Sequence, residues 1–220
     1  MNTRNEELPS DEKRVVDLFG GGSAARNTRD RILHAALDLF LEHGVHAVGV
    51  DRITTEVGVT KTTFYNHFSS KDELLFAVFE WMNKGIFDRI HGLIEVGGTT
   101  LERLRSLLDL GAQITREQME MQAVVLDFWS ASRGTRVEER YNQACLATFR
   151  SYRRLLADVI REGQTAGEIR SDVDPEAVAT MVVAAMDGLG VQIFFDRELD
   201  PDTTVSGFGD VLLAGLEVKP

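Results

Sequence analysis

Cysteine is almost missing from this chain. Cys145 is the only one among 220 residues, which excludes an intramolecular disulfide and a cysteine-rich metal site. Flanked by Ala144, Leu146 and Ala147, it reads as a small buried side chain rather than a reactive thiol. Uninterrupted apolar runs are missing too: the longest candidate, Ala177 to Phe195, is broken by Asp187 and several glycines, so no membrane span is expected. The stretch from Met1 to Gly22 is polar and acidic and lacks the apolar centre of a secretory signal, so a cytoplasmic location is expected. No Ser/His/Asp order, glycine-rich phosphate loop or metal-spaced His/Asp cluster is visible. His43 and His46 stand three apart, but Gly44 lies between them at a helix end, where a shared helical face cannot be assumed. An enzyme, a metal site and a cofactor are therefore not expected. Cations are scarce overall, with 24 Lys and Arg against 35 Asp and Glu and a formal charge of −11. Such a balance excludes the wide basic surface of an architectural DNA-binding protein.

What is present is one short segment rich in meaning. In Thr60-Lys61-Thr62-Thr63-Phe64-Tyr65-Asn66-His67-Phe68, hydroxyl, amide and basic side chains alternate with apolar anchors at helical spacing. Upstream, Asp51 to Val57 forms a short amphipathic run that ends at Gly58, and Thr60 can cap the next. The spacing predicts a helix-turn-helix. Phe64 and Phe68 face inward, leaving Lys61, Thr62, Thr63, Tyr65, Asn66 and His67 mostly outside, where they suit phosphate oxygens and base edges. A helical corner of this kind also occurs as a mere packing corner, so the surrounding residues matter. Thr28 to His43 carries a helical apolar stripe closed by Gly44, which makes three helices before position 70.

The charge distribution agrees. Residues 24–72 hold six Lys/Arg and six Asp/Glu and are neutral, whereas residues 1–23 carry −2 and residues 73–220 carry −9. An acidic body would repel DNA and favour docking through the neutral head. The remaining chain reads as helices: one from Lys71 after the cap Ser70, one capped by Thr99 or Thr100, one through Met119 to Ala131, one over about 137–165, one opened by Asp174-Pro175-Glu176, and one capped by Asp202. With no strand alternation, the chain is expected to be all-α. Three parts are expected: a flexible tail over 1–23, a DNA-binding head over 24–72, and a larger helical body over 73–220, for which the resemblance described next implies regulation and dimerisation.

At this point the resemblance is specific. Thr28-Arg29-Asp30-Arg31-Ile32-Leu33, Ala35 to Phe40, Gly44, Gly58-Val59-Thr60-Lys61, Phe64 to Phe68 and Ser70-Lys71-Asp72-Glu73-Leu74 together resemble the N-terminal domain of the TetR family of one-component bacterial repressors. More weakly, Arg161 to Ile169, Asp174 to Ala177 and Asp187-Gly188-Leu189 resemble that family's regulatory domain. The resemblance implies DNA contacts at Lys61, Thr63, Tyr65 and His67, and a phosphate near Lys71. Each has a structural alternative: the Tyr65 ring covering the core, His67 bonding a carbonyl, Lys71 as a solvated helix-start charge. Arg26 and Arg29 lie where an arm could reach DNA. Gly49 departs from the family's usual Ser or Thr cap, which puts one phosphate contact in doubt; Thr62 replaces a small residue and adds a methyl that can meet a thymine.

The resemblance further implies a homodimer formed by the last two long helices. Met181, Val182, Ala185, Met186, Leu189 and Ile193 are the expected interface. An inducer cavity, mostly apolar, is expected among the middle helices, lined by Trp81, Phe87, Met121, Phe128, Trp129, Phe149 and Tyr152. The expected function is a ligand-responsive regulator, most often a repressor in this family, that binds a pseudo-palindromic operator of double-stranded DNA and leaves it when a small inducer binds. A binding module that kept the scaffold without DNA recognition is the competing reading.

Overall fold

A computed structural model describes residues 27–94, 97–117 and 122–218. The expected tail, Arg26 and Met121 lie outside the described residues. Among the described residues nine helices follow one another: α1 (Thr28–His43), α2 (Val50–Val57), α3 (Lys61–His67), α4 (Lys71–Ile94), α5 (Thr100–Glu117), α6 (Gln122–Ser132), α7 (Glu138–Ala166), α8 (Pro175–Phe195) and α9 (Pro201–Leu216). The all-α class is as expected. A lone antiparallel bridge pairs Ile169 with Glu217, tying the link after α7 to the end of α9.

Local chemistry sets most helix ends. Asn27 opens α1 by accepting the Asp30 N–H at 2.9 Å, and Ser70 opens α4 by accepting the Glu73 N–H at 3.1 Å. Thr99 and Glu102 form a reciprocal capping box, the hydroxyl accepting from the Glu102 N–H at 3.2 Å and the carboxylate from the Thr99 N–H at 2.9 Å. One expectation is corrected: Asp200 rather than Asp202 caps α9, accepting the Thr203 N–H at 3.0 Å. Pro201 explains the shift, because its fixed φ belongs at the first helical position and leaves the residue before it extended. Asp202 instead pairs with Arg116 on α5.

Three packed clusters hold these helices. The first unites the head with the upper body: Ile32, Phe40, Ile53, Phe64, Leu74 and Val78 pack with Val124, Phe128 and Tyr141. The expected boundary at 72 falls in the first turn of α4, whose Leu74, Leu75 and Val78 belong to this shared cluster. The second cluster joins Leu108 and Ala112 of α5 to Val182, Leu189 and Ile193 of α8 and Val205 of α9. The third joins Leu104 of α5, Val159 and Ile160 of α7, Ile169 and Leu216. At the crossing of α7 with α5, Gly163 is obligatory for packing: a Cβ there would lie 2.7 Å from both Ile169 Cδ1 and Thr100 Cγ2. Cys145 is half-buried, and burial pushes its thiol up, in keeping with an unreactive side chain.

Candidate nucleic-acid interface and regulatory body

The helix-turn-helix corner is built by backbone geometry. Gly58 takes φ 71° and ψ 38°, the left-handed region open to glycine, and its N–H closes α2 on Thr54 and Thr55. Val59 then donates to the Thr54 carbonyl at 2.9 Å. From α1, the Arg31 guanidinium donates to the Val57 carbonyl at 2.6 Å and holds the corner against the head. Thr60 caps α3, its hydroxyl accepting the Thr63 N–H at 3.1 Å. Spent on this cap, Thr60 positions α3.

Phe64 and Phe68 are buried, as their spacing predicts, with ring centroids 5.8 Å apart. The pair fixes which way α3 faces. Lys61, Thr62, Asn66 and His67 are exposed, Thr63 is half-buried, and Tyr65 is 53% exposed although its ring edge meets Phe64 at 5.3 Å. Thus the structure brings six sequence-expected residues onto one outer surface. Lys61 is engaged there: its ammonium pairs with Asp51 of α2 at 2.6 Å, and this bond holds its pKa above the usual lysine value. Sequence reasoning missed Asp51, because the pair joins two helices across the turn and only the acid at the start of α2 hinted at it.

Lys71 is placed differently from expectation. Its ammonium donates to the Val45 carbonyl at 2.6 Å, and burial lowers its pKa. It braces the loop between α1 and α2. Arg29 is exposed and lies 5.2 Å over the Phe68 ring, near the end of α3. Gly49 precedes α2 with no side-chain cap, so the cap hydroxyl missing from the sequence is missing from the site as well. Arg52, exposed on α2 and bonded to His43, is a further cation on this side that sequence reading left out.

The body touches the head at defined points. Asp127 of α6 accepts the Val45 N–H at 3.2 Å, and Phe128 meets Phe40 edge to face at 6.3 Å. Arg140 of α7 donates to both Glu73 carboxylate oxygens, at 2.7 and 2.8 Å, while lying 4.3 Å over Phe76. A polar cleft of about 320 Å³ opens beside these contacts, lined among others by Arg29, His67, Glu80 and Arg140.

The expected inducer residues do not converge. Phe128 is in the head's core, Trp81 packs beside His34 at 5.0 Å, Trp129 is 64% exposed, and Phe149 is exposed on α7. Phe87 and Tyr152 do meet, their rings stacked at 6.1 Å. The helical spacing of aromatics did not reveal which face each occupies, and the first core claimed the deepest of them. A correction also applies to the expected interface. Val182, Leu189 and Ile193 point into the second core, and Met186 packs against that core. A helix apolar nearly all round gives no sequence signal for which face turns inward. The outward apolar surface contains Met181, Ala185, Val191 and Phe195 of α8 with Phe208 and Val211 of α9, the last four not among the expected residues. By length and composition alone α8 passes as a helix that could cross a membrane, at a mean hydropathy of 1.7, a test that the core helix of a water-soluble protein also passes.

Two family models match along this architecture. Residues 32–78 match that of the bacterial regulatory proteins of the tetR family, and residues 100–212 match the C-terminal domain of BetI-type transcriptional repressors. The chain belongs to the TetR family. Among relatives of this TetR-family regulator, the transcriptional activator FasR of Mycolicibacterium smegmatis is 31% identical over 49% of this chain and 42% of its own length. The transcriptional repressor KstR2 of Mycobacterium tuberculosis is 27% identical over 68% of this chain and 73% of its own. A transcriptional regulator from Saccharomonospora viridis, solved in complex with choline, is 26% identical and superposes with a TM-score of 0.67 over 87% of this chain and 98% of that one. The relatives thus include one named an activator and one named a repressor.

Proposed function

We propose that this TetR-family regulator binds a pseudo-palindromic operator as a homodimer, represses from it, and is released by a small, mostly apolar inducer. The observation that carries the reading is the outer face of α3, where Lys61, Thr62, Tyr65, Asn66 and His67 stand exposed on the buried Phe64 and Phe68. Phosphate contacts from Lys61, Arg29 and the threonine hydroxyls would orient the head, and Tyr65, Asn66 and Thr62 would read base edges. Two such helices on a twofold axis enter successive major grooves. The outward apolar surface of α8 and α9 supports a second copy as the covering partner, since Met181 at 67% and Phe195 at 78% exposure make a patch that water disfavours. The apolar composition of α8 favours a second occupant, a lipid bilayer; a stable dimer formed without detergent decides against it.

An inducer acts by binding better to the geometry that does not fit DNA, lowering operator affinity by its ratio of affinities for the two states. Asp127 on Val45 and Arg140 on Glu73 are the contacts through which a moved body would turn the head. The test is retention of fragmented genomic DNA by the purified protein at near-physiological salt. Enrichment of one palindromic site is the expected outcome; DNA held without sequence preference, or none, sinks the proposal in favour of a module that lost DNA recognition.

A further inference from the structure

Several cations of the body are held by carboxylates. Arg89 pairs with Glu117, Arg103 with Glu162 and Arg116 with Asp202, within a stretch, residues 73–220, that carries a charge of −9. Arg133 and Arg136, in the short link between α6 and α7, differ. Both are exposed, and among the described residues neither guanidinium has an ion pair or a hydrogen bond. The place of this link follows from the helices beside it. α4 and α7 run in the same direction: Arg140 binds Glu73 and covers Phe76, the Tyr141 ring lies 4.6 Å from Phe79, and the Tyr152 ring stacks on Phe87. Followed backwards in that register, the link comes level with Phe68 to Lys71, where α3 ends and α4 begins. It is anchored there: Val137 belongs to the cluster that holds Phe64 and Leu74, and the Thr135 hydroxyl donates to the Ser132 carbonyl at 2.6 Å. The polar cleft joins the two sides, since His67 and Ser69 from the end of α3 line it together with Arg29 and Arg140.

An acidic body thus presents two unpaired cations at the end that adjoins the DNA-binding head. We propose that Arg133 and Arg136 bind phosphates of the operator backbone beside the groove that α3 enters, so that the body grips DNA as well as the head. The surface is continuous with the exposed face of α3 through His67, and its sign is opposite to that of the backbone. A guanidinium fork suits the phosphate oxygens and carries no sequence information, so these contacts add affinity and fix orientation while α3 reads the bases. They also give regulation a direct route: a shift of α6 and α7 withdraws two phosphate contacts without any change within the head. The inference rests on the reading that α3 enters operator DNA.

The experiment is titration of operator DNA with the full chain at several salt concentrations, for the wild type and two double variants. Arg133→Ala/Arg136→Ala removes the proposed contacts. Arg150→Ala/Arg154→Ala removes the same charge from exposed positions farther along α7, away from the head. Each lost phosphate contact lowers the salt slope by about 0.9, so the first variant is expected to lose about 1.8 in slope and about tenfold in affinity near physiological salt, with the preferred site unchanged. The second variant is expected to match the wild type. Both should keep the wild-type Tm, because none of the four side chains is buried. Hydroxyl-radical footprinting gives an independent readout: backbone positions flanking each half-site, protected by the wild type, become open in Arg133→Ala/Arg136→Ala alone. Equal losses in the two variants would reduce the effect to net charge and overturn the proposal. A wild-type slope and footprint in Arg133→Ala/Arg136→Ala would overturn it while leaving the operator reading intact, whereas a wild type that retains no DNA overturns both.

Discussion

Lys61 is already engaged before any DNA is bound. In the unbound protein it pairs with Asp51, and on DNA a phosphate would take the carboxylate's place. Lys61→Ala is therefore expected to weaken operator binding roughly fivefold to tenfold across sequences and reduce the salt slope by about one, measured by titration at several salt concentrations. Asp51→Asn should do the opposite, strengthening binding at low salt by removing the competing acid; equal affinity for wild type and variant would mean that the ion pair does not hold Lys61 back. Tyr65→Phe keeps the ring against Phe64 and removes only the hydroxyl. A loss of discrimination at one operator position, with Tm unchanged, is expected. These outward residues were legible in the sequence because Phe64 and Phe68, four apart, define an inside. Asp51 and the bracing role of Lys71 were not, since each depends on a partner supplied by another element.

The helices carry their own tests. Gly163→Ala places a methyl 2.7 Å from Ile169 and Thr100 atoms, so α7 and α5 must separate. A loss of about 1–3 kcal/mol in urea unfolding is expected. Asp200→Ala removes the α9 cap and is expected to cost about 1 kcal/mol, whereas Asp202→Ala removes only a partly exposed ion pair with Arg116 and should cost less. Equal losses would return the cap to Asp202. Helix positions were readable from caps, glycines and apolar periodicity; the inward face of α8 was not, because nearly every face of that helix is apolar. Val182, Leu189 and Ile193 became core rather than interface only when α5 and α9 packed against them.

Assembly and titration belong to the molecule as a whole. Replacing Phe195 and Val211 by serine should yield a folded monomer by light scattering and abolish tight operator binding, since the body's core residues are untouched and only the outward surface changes. Asp187 gives the pH test. Its folded value of about 6 lies above the ordinary 3.8, so the folded state binds the proton more tightly and the unpaired charge lowers stability as pH rises through that window. Asp187→Asn should accordingly raise Tm at pH 7 and leave it unchanged at pH 4. A variant that melts lower at pH 7 would show the carboxylate to be a structural support.

By itself the sequence determined the helical class, the TetR-like head and the outward set on α3, because these follow from local rules of spacing, capping and turn chemistry that act within a few residues. Tertiary structure alone decided which apolar faces were consumed by the core and that Lys61 meets Asp51. Those outcomes depend on contacts between helices distant in the chain, where burial and charge are set by whatever packs alongside.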